Sequence, residues 1–173
     1  MKMFSFFLIL FTVHISYGQS IQDSIETAIE YKNKGIEKTK LGNYYEAIAD
    51  YNKAIELNPR FAEAFYNRGI TKGKLGNLSG AIEDYTKAIE LNSKYVEAYN
   101  NRGLAKGKLG NFSEAIEDLN NVIGFNLKDK KAYYGRGLMK YMLNDKDGAC
   151  LDWRKAGELG YEKAYETMKE KCQ

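Results

Sequence analysis

The sequence is poor in the residues that usually carry chemistry. Histidine occurs once in 173 residues, at His14, and cysteine twice, at Cys150 and Cys172. Imidazole is the commonest general acid or base, so most acid–base schemes have no candidate. Two thiols without histidine make a poor ligand set, so no metal centre is expected. The glycines stand singly at spaced positions and form no phosphate-cradling loop. No catalytic residue and no cofactor can therefore be assigned. Net charge is only +3, too mild to indicate nucleic acid. Proline occurs once, at Pro59, so helices can run long between few breaks. Hydrophobic residues make up 44% and charged residues 28%, which is enough apolar surface to fold.

What is present begins with an apolar start. Lys2 precedes a run over residues 4–15 that is broken only by Ser5, Thr12 and His14. Ser16-Tyr17-Gly18 then places small residues where a signal peptidase reads. Residues 1–18 are predicted to be a secretory signal peptide, cut between Gly18 and Gln19. The run is shorter than the roughly 20 residues of a membrane span. An uncleaved anchor is the alternative. No cysteine follows the run, which argues against a lipid anchor. Cleavage would leave a chain with no membrane span and no histidine, exported to the periplasm or secreted.

The remainder repeats. Leu-Gly-Asn occurs at Leu41-Gly42-Asn43, Leu75-Gly76-Asn77 and Leu109-Gly110-Asn111, each 34 residues from the last. Segments 28–61 and 62–95 each match the next at more than half of their positions. Segment 130–163 is degenerate but in register. Each copy reads as two helices, A and B. In the second copy helix A is predicted over 62–75 and ends at Gly76-Asn77, residues that tolerate a left-handed backbone. Ser79 and Ser113 are expected to cap helices B. Asn58, Asn92 and Asn126 close them.

A 34-residue helix–turn–helix period resembles the tetratricopeptide repeat (TPR). The columns that carry the resemblance are Gly35, Gly69, Gly103 and Gly137 on helix A. On helix B they are Ala47, Ala81, Ala115 and Ala149, then Tyr51, Tyr85, Leu119 and Trp153, then Ala54, Ala88, Val122 and Ala156. Two departures stand out. Proline is kept only in the first copy, and Lys38, Lys72, Lys106 and Lys140 replace the family's usual aromatic. The resemblance implies an all-α, right-handed solenoid of antiparallel helix pairs. Its parts are a lead-in over 19–27, repeats at 28–61, 62–95, 96–129 and 130–163, and a capping helix over 161–173. Ala164, Tyr165, Met168 and Cys172 share one stripe suited to covering the fourth pair.

Cys150 and Cys172 are each eleven residues from Tyr161, so a hairpin would set them side by side. Export implies an oxidising compartment, and a disulfide is predicted; two reduced cysteines are the alternative. Lys34, Arg68, Arg102 and Arg136 share a helix A column. Asp50, Asp84, Asp118 and Asp152 follow sixteen residues later. These are predicted to be structural ion pairs, the alternative being that the arginines grip a ligand carboxylate.

The resemblance places helix A on the concave face. Charge divides the same way. Third-copy helix A holds Arg102, Lys106 and Lys108 against Glu97, a net of +2. Its helix B holds Glu114, Glu117 and Asp118, a net of −3. Candidate groove residues are Lys32 and Ile36, Tyr66 and Ile70, Asn100 and Leu104, and Tyr134 and Leu138, each pair spaced i, i+4. Lys74 and Lys108 continue the stripe, and Asn67 joins it. Some family members clamp a terminal carboxylate on three helices A. Lys32 and Asn67 match that set, but Ile36, Glu97 and Asn101 do not, so that clamp is broken. Asn77-Leu78-Ser79 and Asn111-Phe112-Ser113 match a glycosylation pattern, but the same residues have turn roles.

The expected function is a non-catalytic adaptor or scaffold that binds a protein or peptide, an acidic one by charge, as a monomer. Two other readings remain: a self-associating envelope component, and an accessory subunit of a separate enzyme.

Overall fold

The computed structural model describes the backbone of residues 2–172 and the side chains of residues 21–172. The expected leader over 1–18 and its cleavage point fall outside the described side chains. Among the described residues there are nine α-helices and no strand. They are α1 (Lys2–Lys40), α2 (Tyr44–Leu57), α3 (Ala62–Lys74), α4 (Leu78–Leu91), α5 (Val96–Lys108), α6 (Phe112–Phe125), α7 (Lys130–Met142), α8 (Lys146–Glu158) and α9 (Glu162–Lys171). Helices α1, α3, α5 and α7 are the A helices, and α2, α4, α6 and α8 the B helices. The lead-in over 21–27 continues helix A of the first repeat without a break. Among the described residues, no helix is long and apolar enough to cross a membrane.

The turns follow from local chemistry. Gly42, Gly76 and Gly110 have φ of 83°, 81° and 85°, and Asn144 takes the same place in the fourth repeat at 65°. This left-handed residue lets the chain return bonds to the last turn: Asn77 N–H reaches the Lys72 carbonyl at 2.9 Å. At the other turn, Asn58, Asn92 and Asn126 end the B helices. Their side-chain oxygens accept from the N–H of Arg60, Lys94 and Lys128 at 3.1, 3.1 and 3.0 Å. The asparagine column is therefore a set of side-chain-closed turns. The serine caps are corrected. Asn77, two residues before Ser79, is the N-cap of α4, and its Oδ1 accepts from Gly80 N–H at 2.9 Å. Asn111 holds the same place in α6, with no side-chain cap bond. Ser79 and Ser113 lie inside the first helical turn.

Packing explains the small-residue columns. A Cβ on Gly35, Gly69 or Gly137 would sit 2.6, 2.7 or 2.6 Å from the Tyr51, Tyr85 or Trp153 ring. Each glycine therefore lets a large helix B ring lie flat against helix A. Ala47, Ala54, Ala88, Ala115, Ala149 and Ala156 are wholly buried. Successive A helices also touch: α1 meets α3, α3 meets α5 and α5 meets α7. Among the described residues, successive B helices make no comparable contact. The A helices thus line the inner side.

Cys150 and Cys172 form a disulfide with Cα atoms 5.9 Å apart, which ties α9 to α8. Ala164 and Met168 pack on the Trp153 cluster. Tyr165 departs from the expected stripe. It is 48% exposed, and its ring lies over Gly157.

Candidate functional site

Each A helix carries polar groups on two sides. On the side facing its own helix B, a charged ladder repeats. Arg68 Nε and Nη2 donate to Asp84 at 2.9 and 2.6 Å. Arg102 does the same to Asp118 at 3.0 and 2.6 Å, and Arg136 to Asp152 at 2.8 and 2.6 Å. These two-pronged contacts use the guanidinium fork on carboxylates that are almost fully buried. The Asp152 contact holds the Arg136 pKa above its ordinary value.

Each ladder aspartate also has a lysine against it. Lys38 lies 2.7 Å from Asp50, Lys72 2.9 Å from Asp84, Lys106 3.1 Å from Asp118 and Lys140 2.9 Å from Asp152. These are the lysines that replace the family's aromatic, and sequence reasoning gave them no role. The signal was present: Arg68 and Lys72 are spaced i, i+4 and face one helix B residue.

The first repeat corrects the ion-pair expectation. Lys34 is exposed and lies 5.0 Å over the Tyr31 ring, while Lys38 alone serves Asp50. The reason lies in the third arginine nitrogen. Nη1 of Arg68, Arg102 and Arg136 reaches back to Asn52, Thr86 and Asn120 of the preceding helix B, at 2.6, 3.1 and 2.7 Å. Among the described residues no helix B precedes the first repeat, so an arginine there would find no such partner for its Nη1.

The inner side is not uniform. Lys32 pairs with Glu63 at 3.2 Å, and Asn67 donates to its own helix at the Glu63 carbonyl. Asn101 donates to the Tyr66 hydroxyl at 3.1 Å, and the Tyr66 ring stacks on Tyr95 with centroids 4.7 Å apart. Burial, then the Glu97 charge, pushes the Tyr66 pKa up. Tyr134 is drawn into the cap: its ring meets Tyr161 at 4.9 Å and its hydroxyl meets Thr167 at 3.2 Å. Ile36 is half-buried, and Leu138 is 36% exposed.

Four of the candidate residues do converge. Ile70, Lys74, Leu104 and Lys108 surround a recess of about 380 Å³ between α3 and α5. Lys108 is exposed and has no ionic or hydrogen-bond partner among the described residues. Lys74 is exposed and lies 5.8 Å over the Tyr44 ring. A second recess of about 370 Å³ brings Tyr66 and Asn100 beside Glu97 and Asp129. The inner side is therefore basic toward the C-terminal ends of its helices and acidic toward their N-terminal ends. That arrangement can hold an extended chain by charge and apolar contact.

Comparison with known proteins adds to this geometry. Residues 35–76 and 73–110 match the family described as TPR repeat, and residues 96–129 match the tetratricopeptide repeat. A crystal structure of MamA protein is 29% identical, with a TM-score of 0.77, covering 81% of this chain and 78% of that one. The first TPR of Spaghetti (RPAP3), bound to the HSP90 peptide SRMEEVD, is 28% identical, with a TM-score of 0.68 over 69% of this chain and 95% of that one. The TPR domain of Arabidopsis OM64 is also 28% identical, with a TM-score of 0.65, covering 68% and 98%. A rice (Oryza sativa subsp. japonica) SGT1 homolog is 54% identical over 43 residues, and the match spans 25% of this chain and 12% of that protein.

Proposed function

This chain belongs to the tetratricopeptide-repeat family, and from that premise we propose that it holds an extended acidic polypeptide along its A helices, outside the cytoplasm. The family's fold supports a protein–protein interaction adaptor, and its members are in general interaction modules rather than catalysts. The observation that carries the finer reading is the recess bounded by Lys74 and Lys108. Every other inner or ladder lysine of α3 and α5 is matched to a carboxylate, whereas these two cations face outward over apolar Ile70 and Leu104. An acidic chain supplies the missing charge and draws on the same field for its approach.

The RPAP3 domain shows that this fold accepts a peptide ending in acidic residues. The mode here differs. The two residues that match the terminal-carboxylate clamp, Lys32 and Asn67, are already engaged within the chain. The groove therefore reads internal acidic side chains rather than a free C-terminus. The apolar leader and the disulfide together support an extracytoplasmic location.

The test is affinity capture from secreted and envelope fractions, with the wild-type chain and a Lys74→Glu/Lys108→Glu variant as paired baits. A partner kept by the first and lost by the second supports the groove. Equal capture by both moves binding to another face. Recovery of the protein's own copies alone favours self-association.

A further inference from the structure

The three seams between successive A helices are built differently from the same two columns, and the place after the fourth helix differs again. Between the first and second repeats, Thr39 and Thr71 face each other with hydroxyl oxygens 2.8 Å apart, and Thr39 lies 3.2 Å from the Tyr51 hydroxyl. Between the third and fourth, Met139 fills the space: a Cβ on Gly107 would sit 2.5 Å from its Sδ. Beyond the fourth repeat, Tyr141 occupies the place and meets Trp153 at 5.7 Å. Between the second and third repeats the columns hold Gly73 and Ala105. A Cβ on Gly73 would find nothing nearer than the Tyr85 hydroxyl at 3.8 Å. The recess stands at this position.

Tyr85 occupies the Tyr51 column. Tyr51 has its hydroxyl satisfied by Thr39, whereas the Tyr85 hydroxyl has no hydrogen-bond partner among the described residues. Gly73 stands where that threonine would be. The side chain lies 5% exposed and its hydroxyl lines the recess, so a polar atom is left beside Ile70, Leu78 and Leu104 in a pocket whose other polar lining is Asn101 and the two lysines. The oxygen keeps solvent contact in the recess, so a ligand hydroxyl can take the place of water there.

From these gaps, and resting on the groove reading above, we infer that the recess takes a hydroxyl-bearing side chain, threonine or serine, from the acidic segment. The methylene or methyl carbon meets Ile70 and Leu104. The hydroxyl bonds Tyr85, as Thr39 bonds Tyr51. Carboxylates on either side reach Lys74 and Lys108. Neighbouring helices lie about 8–10 Å apart. An extended chain advances about 3.3 Å per residue, so the two carboxylates are about three residues apart.

The probe is a phage library of random decapeptides selected on the purified protein. Threonine or serine flanked by acidic residues is the expected enrichment. Two variants fill the recess independently: Gly73→Thr/Ala105→Thr copies the first seam, and Ala105→Met copies the third. Each is expected to weaken the selected peptides about tenfold or more. Threonine-to-valine change in a selected peptide costs about tenfold on the wild type, and Tyr85→Phe abolishes that discrimination. Selected peptides that bind both filled variants like the wild type, or that ignore the threonine-to-valine change, overturn the inference. If Lys74→Glu/Lys108→Glu still abolishes their binding, the groove reading survives alone. If no peptide is enriched, or charge reversal has no effect either, both fall.

Discussion

The two sides of each A helix obey different rules. Toward helix B, the Arg–Asp–Lys contact is built alike in three repeats, and the first keeps only its Lys–Asp half. Toward the next A helix, the three seams differ: paired threonines, a glycine opposite alanine, and a glycine filled by methionine, with a tyrosine at the place after the fourth helix. A feature repeated in every copy serves what every copy must do, which is fold against its neighbours. A feature present once serves the molecule as a whole. The open seam is a place where the packing between A helices is left incomplete.

Several substitutions would break that contrast or sharpen it. The largest effect is expected on the ladder. Asp118→Ala strands Arg102 and Lys106 in a mostly dry site and should cost about 3–5 kcal/mol in urea unfolding. An unchanged midpoint would show that the ladder is not structural. Next comes the staple between α8 and α9. Cys150→Ser/Cys172→Ser opens a loop of 22 residues and should cost on the order of 3 kcal/mol. Hydrogen exchange in α9 should rise well above that in α5; equal protection would mean that packing alone holds the cap.

The glycines give the sharpest test, because two of them should respond with opposite signs. Gly137→Ala drives a Cβ to 2.6 Å from Trp153 Nε1 and 3.1 Å from the Ala149 carbonyl, and should lose about 1–3 kcal/mol. Gly73→Ala places its methyl in ordinary contact with the Tyr85 hydroxyl at 3.8 Å and Ala81 at 3.9 Å, within a helix, and should gain about 0.5–1 kcal/mol. Thermal melts of the pair decide it; two losses would mean that the recess does not exist.

The smallest effect is alkaline. Burial raises the pKa of Tyr51, Tyr66, Tyr85 and Tyr95, and the Asp50 contact raises that of Lys38. Unfolded tyrosine and lysine titrate near pH 10, so the unfolded chain loses protons first as pH rises. Stability from these groups is complete below about pH 10 and declines above it. A melting temperature that fell between pH 7 and 9 would contradict this.

Much of the architecture was legible because repetition amplifies weak signals. Gly35, Gly69, Gly103 and Gly137 mean little singly but mark close packing when spaced 34 apart. The helix ends were less secure. Asn77 and Ser79 are both good caps, and only the backbone decides that Asn77 takes the role. Comparison with the family obscured the four ladder lysines, since they were judged as missing aromatics rather than as cations facing an aspartate. The groove was half legible. Lys74 and Lys108 could be placed on a stripe, but Tyr134 could not be known to serve the cap. The recess was out of reach, because it is defined by atoms that are absent from Gly73 and Ala105, 32 residues apart.

The backward reach of each arginine has a consequence for how the array melts. Arg102 grips Asp118 within its own hairpin and Thr86 in the one before, so neither hairpin can open without loosening the other. In a one-dimensional chain, such a bond strengthens the nearest-neighbour coupling relative to each unit's own stability. Strong coupling lengthens the stretch that comes apart together. The four hairpins should therefore unfold as one cooperative block, and the pitch from one inner helix to the next stays fixed while a partner comes and goes.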